Sequence, residues 1–392
     1  MTYVIWAIGI LCAAALLVLA VMIADNHRFV VRHYEVASDR ADRSYTFAFI
    51  TDLHAKVYGK GNESILRAIR EISPDAVLFG GDLIVAAQAG EEGDGWMKTA
   101  LALLRDVSEE FPVFYVNGNH ELKLDEHWWK ETGGTGKSDG DSEAAWRRRR
   151  AFAGAYERLD RALAQIGVRP VRNKRFRFSG EKGAAAFAPL PLLGEFPDTE
   201  AAKTAMGGAR VKTEPDSRGA LADTEAEQSA DGTGRAGTYD APGIDVFGLE
   251  LPAHFYTKFQ SETLSVEEID ALIGRPDPAR FTVLVTHTPK YFEAYAAWGA
   301  DLVLCGHVHG GIARLPFVGG VLSPYPTLFP KYSGGHYELP GGRRESAGTE
   351  AADAGKEPRS VLVLSCGMGM HTLPVRCFNP AELSVITIKP QQ

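Results

Sequence analysis

The chain has 392 residues, 45% of them hydrophobic and 23% charged, with 50 acidic against 42 basic side chains and a formal net charge of -8. That is a globular composition, which excludes a collagenous or wholly disordered chain, and the acidic balance argues against a general nucleic-acid coating protein while leaving room for a local basic patch. Four cysteines, Cys12, Cys305, Cys366 and Cys377, show neither zinc-ribbon nor redox spacing and are too few for a disulfide scaffold, so they read as reduced and mostly buried thiols.

From Tyr3 to Ala24 there is no charged side chain and no proline. At a rise of about 1.5 Å per residue such a run reaches across the roughly 30 Å hydrocarbon core of a bilayer, so it reads as one membrane-spanning helix. A cleaved secretory signal is the competing reading, but no Lys or Arg precedes the run and it is long for a signal core. Arg28, Arg32, Arg40 and Arg43 follow the span, which places the body of the protein on the cytoplasmic side of the cell membrane. Cys12 lies within the span without the flanking pattern of a lipidation site.

Beyond the span, residues 26–44 read as a juxtamembrane linker and 45–392 as one folded domain. Short runs rich in Val, Phe, Ile and Tyr suit buried strands at Thr46 to Thr51, Ala76 to Phe79, Val113 to Val116, Thr282 to Val285 and Leu302 to Cys305. Between the first two, Ile65, Ile69 and Ile72 recur at helical spacing over Glu63 to Ile72, and Ser73-Pro74 closes that helix. A second helix is expected over Glu143 to Ile166, where Phe152, Tyr156, Leu159, Leu163 and Ile166 form one stripe ahead of Gly167. The order strand, helix, strand indicates an α/β body. Stretches near 131–142, 199–240 and 340–358 are too polar to offset chain entropy by burial and read as solvated insertions.

Each strand breaks off into polar residues. Asp52-Leu53-His54 places a carboxylate and an imidazole on one face of an extended chain. Gly80-Gly81-Asp82 and Asn117-Gly118-Asn119-His120-Glu121 follow the next two strands, and Thr286-His287 and Gly306-His307-Val308-His309-Gly310-Gly311 follow the last two. A lone Asp after a strand is ordinarily a cap or turn residue, and a lone His in a loop is ordinarily solvated. Five successive strand ends with this inventory instead suit divalent cations, which take carboxylate oxygen, amide oxygen and neutral imidazole together.

This ordered set resembles the calcineurin-like binuclear metallophosphoesterase family. The later stretches around Leu315-Pro316-Phe317, Leu328-Phe329-Pro330 and Gly367-Met368-Gly369 resemble its membrane-anchored bacterial branch. The resemblance implies a four-layer αββα sandwich of two mixed β-sheets. It further implies that Asp52, His54 and His309 hold one metal, that Asn119, His287 and His307 hold a second, and that Asp82 bridges them. A carboxylate suits the bridge because one anion touching both ions offsets their repulsion. Manganese is the expected metal, with iron and zinc also fitting the ligand mixture. The implied activity is hydrolysis of a phosphodiester, pyrophosphate or phosphomonoester, of a small-molecule or lipid-linked substrate, by water activated between the ions.

His120 is then the catalytic residue, stabilising the transferring phosphoryl group or protonating the leaving oxygen. Glu121 would orient that imidazole or serve as a cap or solvent-facing residue. Arg376 is a candidate for pairing with substrate phosphate, with a structural ion pair as the alternative. Arg147 to Arg150 read as a solvated helix face rather than a contact with anionic headgroups, and Trp128-Trp129 either as core or as an apolar lip over the site or a membrane-dipping edge. The chain departs from the related branch at Ile312, where Gln is common, so recognition beside the metals is expected to differ. No stable nucleic-acid partner is expected. Two other functions fit the same residues, a nuclease of the same chemistry and a non-hydrolytic metal-binding scaffold at the membrane.

Overall fold

The computed structural model describes residues 2–90, 95–125, 128, 152, 154–178, 189–190, 243–256, 262–315, 317–323, 327–341, 359–370 and 375–391. Alternation along single strands explains its layers. In β2 (Tyr45–Ile50), Tyr45, Phe47 and Phe49 enter one apolar cluster while Ala48 and Ile50 enter another. The same division holds in β9 (Phe281–Thr286), where Phe281, Val283 and Val285 face the first cluster and Leu284 a third, and in β10 (Leu302–Cys305). Strands buried on both faces demand a cover on each side, and here one side is always the opposite sheet.

The first sheet has the order β1-β15-β2-β3-β4-β5, with β1 at Phe29–Ser38, β3 at Ala76–Phe79, β4 at Val113–Tyr115, β5 at Arg169–Pro170 and β15 at Ala381–Pro390. The second has the order β13-β14-β10-β9-β8-β6-β7, with β6 at Lys174–Phe178, β7 at Pro189–Leu190, β8 at Ile244–Leu249, β13 at Gly335–Pro340 and β14 at Arg359–Leu364. Both are mixed: β2, β3 and β4 run parallel while β15 is antiparallel to β2, and β8, β9, β10 and β14 run parallel while β6 and β13 are antiparallel neighbours.

Helices α2 (Glu63–Ile72), α3 (Gly95–Ser108) and α5 (Ala155–Gln165) cover the outer face of the first sheet with Ile65, Ile69, Trp96, Leu103, Leu159 and Leu163. Helices α6 (Val266–Ile273) and α7 (Phe292–Trp298) cover the outer face of the second with Ile269, Ile273, Phe292 and Tyr295. The result is the expected αββα order, and the expected strands and α2 lie within a residue of their sequence-derived positions. The stripe Phe152, Tyr156, Leu159, Leu163 and Ile166 packs into the outer cluster of the first sheet as expected, with the helix beginning at Ala155 among the described residues. Residues 131–142 and 199–240, Arg147 to Arg150 and most of 340–358 lie outside the described residues.

The stretch 26–44 is not a linker. Most of it is β1, a ten-residue strand paired in parallel with β15 from Phe29↔Ala381 to Ser38↔Pro390. Its alternating half-exposed side chains suit a sheet edge, and a partner some 350 positions away leaves no local trace in the sequence. Helix α1 (Thr2–His27), long and apolar enough to cross a membrane, therefore enters the sheet with only Arg28 between. The basic residues after it are used by the fold: Arg28 pairs with Asp25, Arg32 with Glu382, Arg40 with Asp301 and Arg43 with Asp75.

Candidate metal centre

The loops that follow β2, β3, β4, β9 and β10 leave the carboxyl ends of parallel strands, where an open α/β sheet gathers its ligands. They bring the five polar clusters together. Asp52, His54 and His309 present donor atoms within 4.8 Å of one another, as do His54, Asp82 and His120, and as do Asp82, His287 and His307. Asp82 Oδ2 lies 3.1 Å from His287 Nε2 and 3.7 Å from His54 Nε2, so this one carboxylate joins the groups. Asn119 sits between Gly118 and His120, both of which abut Asp82, and its buried Oδ1 accepts no hydrogen bond among the described residues. All of these side chains are buried.

Imidazole orientation separates ligands from donors. His54 Nδ1 donates to Ile84 O at 3.1 Å, His287 Nδ1 to Gly80 O at 2.8 Å and His309 Nδ1 to Gly369 O at 3.1 Å. A carbonyl can only accept, so in each neutral ring the proton is on Nδ1 and Nε2 offers a lone pair. His54 and His309 turn these Nε2 atoms toward each other at 3.3 Å. Two facing lone pairs repel unless a cation lies against both, and with the two carboxylates and the orphaned Asn119 oxygen this donor set fits divalent metal ions. His120 is built the opposite way. The Ala86 N–H donates to its Nδ1 at 3.0 Å, so its ring proton resides on Nε2.

Charge in the site follows the same logic. Burial pushes Asp52 up to about 7; His287 opposes this and Asp82 adds to it. Burial works to raise Asp82 as well, but His287, His120 and His54 more than reverse it and hold that carboxyl well below the usual range. Burial alone would lower His287, yet Asp82 and Asp52 outweigh it and raise it to about 9. Without a cation the site gathers protons to balance its carboxylates.

The geometry is held under strain. Asp52, His54, Asp82, His307 and His309 all adopt positive φ, between 47° and 73°, at a cost of roughly 1 to 3 kcal/mol each. Main-chain bonds between loops hold these conformations, among them Asp52 N–H to Gly81 O (2.9 Å), His54 N–H to Asp82 O (3.1 Å) and Gly369 N–H to Asp52 O (2.6 Å). The His307 N–H donates to both Asp52 carboxylate oxygens, and the Thr51 hydroxyl donates to Oδ2 at 3.1 Å.

Glu121 does not face solvent. Its fully buried carboxylate accepts the N–H groups of Asp82 (2.8 Å), Leu83 (2.8 Å), Ile84 (3.2 Å) and Gly118 (2.8 Å). The Gly118 bond is the cap expected at the start of α4 (Asn119–Leu122); the other three pin the loop that carries Asp82. Arg376 also has a different place from the one expected. It is 1% exposed, and its guanidinium donates to the carbonyls of Cys366, Gly367, Gly369 and Asn379 at 2.8 to 3.2 Å. Those donors are engaged with main chain rather than turned toward a substrate phosphate. Trp128 packs into the core beside Tyr256, with ring centroids 6.0 Å apart, and Trp129 lies outside the described residues.

Gly118 shows how tightly these loops cross. Its φ of -98° suits any residue, but a Cβ there would run into Asp82 Oδ1 and the Asp82 main-chain nitrogen. Gly118→Ala should therefore cost about 1 to 3 kcal/mol of stability and about tenfold or more in metal retention by displacing the shared carboxylate. Denaturation midpoints and metal content after desalting check both.

Sequence reasoning passed over Glu250, although it too follows a strand, β8. Burial pushes its carboxyl up to about 7; Arg172 and Asn117 oppose this, while Glu121 and Asp125 reinforce it. A raised folded value means that this contribution to stability is fully present below the ordinary value of 4.5 and is lost as the pH rises through about 7. Glu250→Gln should flatten that decline in thermal unfolding followed against pH.

Residues 45–177 match the family model described as calcineurin-like phosphoesterase. Over that stretch the chain is similar to the calcineurin-like phosphoesterase family. That match spans Asp52, His54, Asp82, Asn119 and His120, and the fold adds His287, His307 and His309 from the second sheet. A relative, the uncharacterized metallophosphoesterase YkuE of Bacillus subtilis (strain 168), is 27% identical to this chain over 129 residues. The matched stretch covers 31% of this chain and 38% of that relative. The clusters of buried Asp and His side chains described above could hold metal ions, as the similarity over residues 45–177 would require.

Proposed function

We propose that the chain is a membrane-anchored phosphohydrolase with two divalent cations, acting on phosphodiester or pyrophosphate bonds. The observation that carries this reading is the pair of adjacent donor groups joined at Asp82. Asp52, His54 and His309 would hold one cation, Asn119, His287 and His307 the other, with Asp82 between them; manganese, iron or zinc suits this mixture. When bound, two such cations supply Lewis acidity toward phosphoryl oxygens and a nucleophile at neutral pH.

The chain's own residues set the remainder. Main-chain carbonyls aim the Nε2 lone pairs of His54, His287 and His309 inward. Glu121 holds the Asp82 loop rigid through the main chain. His120, neutral with its proton on Nε2, acts as a hydrogen-bond donor to the phosphoryl or leaving oxygen as charge develops there. Of the two roles expected for it, stabilisation is favoured over full proton transfer, since a neutral imidazole that gives up its only ring proton becomes an anion.

Helix α1, long and apolar enough to cross a membrane, would anchor this body in the cell membrane. The arginines after it favour the cytoplasmic side for the body, since basic residues flanking a span tend to remain there.

The test uses the full chain in detergent, stripped with chelator and reloaded with manganese, on an activated aryl phosphodiester. Hydrolysis should return with two metal equivalents. His120→Ala should retain both metals and lose about 10²-fold or more in kcat, with His120→Gln, which keeps a donor, recovering part of the loss. Two bound metals without turnover, and a silent His120→Ala, would instead mark a binding scaffold.

A further inference from the structure

Outside α1, the exposed large apolar side chains among the described residues are Val31, Val57, Leu315, Phe317, Val318, Leu328, Phe329 and Phe378. Six of these eight, Leu315 onward, lie in or beside one small two-stranded sheet. Strands β11 (Arg314–Leu315) and β12 (Gly319–Gly320) form an antiparallel hairpin. Ala313 bridges Cys377 on one side, with Arg314 N–H donating to Cys377 O at 3.0 Å. On the other side Phe329 N–H donates to Val321 O at 2.9 Å and Leu322 bridges Leu328. Phe317, Phe329 and Phe378 also sit at positive φ, between 52° and 65°. An exposed ring in that conformation costs strain and gains no burial within the chain, so folding stability alone gives no reason for it.

The position of the sheet says what covers it. Phe378 precedes Asn379, whose N–H donates to Asp25 Oδ2 at 2.9 Å, and Asp25 lies in the last turn of α1. The exposed rings therefore begin where the apolar helix leaves the sandwich. Asn379 also donates through Nδ2 to His309 O at 2.7 Å, and the first strand of the hairpin starts five residues beyond His309 with Arg314. One asparagine thus ties the helix end, the apolar sheet and the metal-site loop together.

We propose that this small sheet is a second membrane contact, which lowers Phe317, Val318, Leu328, Phe329 and Phe378 into the same bilayer face that α1 enters. The inference rests on the reading of α1 as a membrane span. Aromatic and aliphatic side chains of this kind enter the headgroup and acyl boundary to a depth of roughly 5–10 Å. With the sheet so placed, the loop carrying His307 and His309 lies at the membrane surface, within reach of phosphoesters borne by lipids.

Full-length chain in phosphatidylcholine vesicles, with and without brominated acyl chains, tests this by tryptophan quenching. Native Trp6 in α1 reports the anchor: wild type should be quenched more than Trp6→Phe. In the Trp6→Phe background, Phe317→Trp should lose about half or more of its added emission on brominated lipid. Glu109→Trp, just beyond α3 at the opposite end of the strands from the metal loops, should lose none. Quenching of Trp6 without quenching at position 317 overturns the second contact and leaves the anchor standing. Absence of both overturns the anchor and the inference that rests on it.

Discussion

Asp82→Ala is expected to abolish two-metal occupancy and to lower hydrolysis by more than about 10², beyond what loss of a merely supporting partner costs. Asp82 Oδ2 faces His287 at 3.1 Å and His54 at 3.7 Å, while Oδ1 accepts the His120 N–H at 2.8 Å. Removal takes away the one anion shared by both donor groups and also frees the main chain that positions His120. Asp82→Asn keeps the shape and an accepting oxygen but not the charge, so it should recover the fold without recovering the second metal. Metal content of the purified variants, read beside kcat on an aryl phosphodiester, separates the two losses. A variant with both metals bound and wild-type turnover would refute the bridging role.

Arg376→Met should be the most destabilising single change in the catalytic body outside the apolar core, on the order of 3 to 5 kcal/mol, because several buried carbonyls lose their donors at about 1 kcal/mol or more each. Three of them, in Cys366, Gly367 and Gly369, belong to the loop after β14. Gly369 accepts His309 Nδ1 and donates to Asp52 O, so this clamp also supports the first donor group. Thermal unfolding should fall sharply and metal should leak, while KM of the folded fraction stays unchanged. A raised KM with unaltered unfolding would restore the phosphate-pairing role expected from the sequence. Arg376→Lys should rescue little, since an ammonium lacks the planar fork that spans four carbonyls.

Much of the site is legible in the chain because each of its parts is local. A strand followed at once by Gly-Asp or Asn-His marks those residues as candidates at the strand end, but the extended-chain pairing expected of Asp52 and His54 does not hold: both adopt positive φ, fixed by main-chain bonds between loops. Glu121 and Arg376 were harder. An Asn-His-Glu sequence or an Arg after a Pro-Val carries no mark of its partner, and both residues are explained by main-chain groups brought close by tertiary packing. Strand β1 misled for the same reason, as its hydrogen-bond partner is the last strand of the chain.

The amino-acid order alone determined the apolar helix, the α/β alternation and the inventory of carboxylates and imidazoles at strand ends, all of which depend on periodicities of a few residues. Only the folded molecule decided which ring nitrogen turns inward in His54 and His120, that Glu121 and Arg376 serve the backbone, and that the exposed Phe378 lies beside the residue that bonds the foot of α1. Those are contacts between segments tens to hundreds of positions apart, set by how two sheets pack face to face rather than by any property of the neighbouring residues.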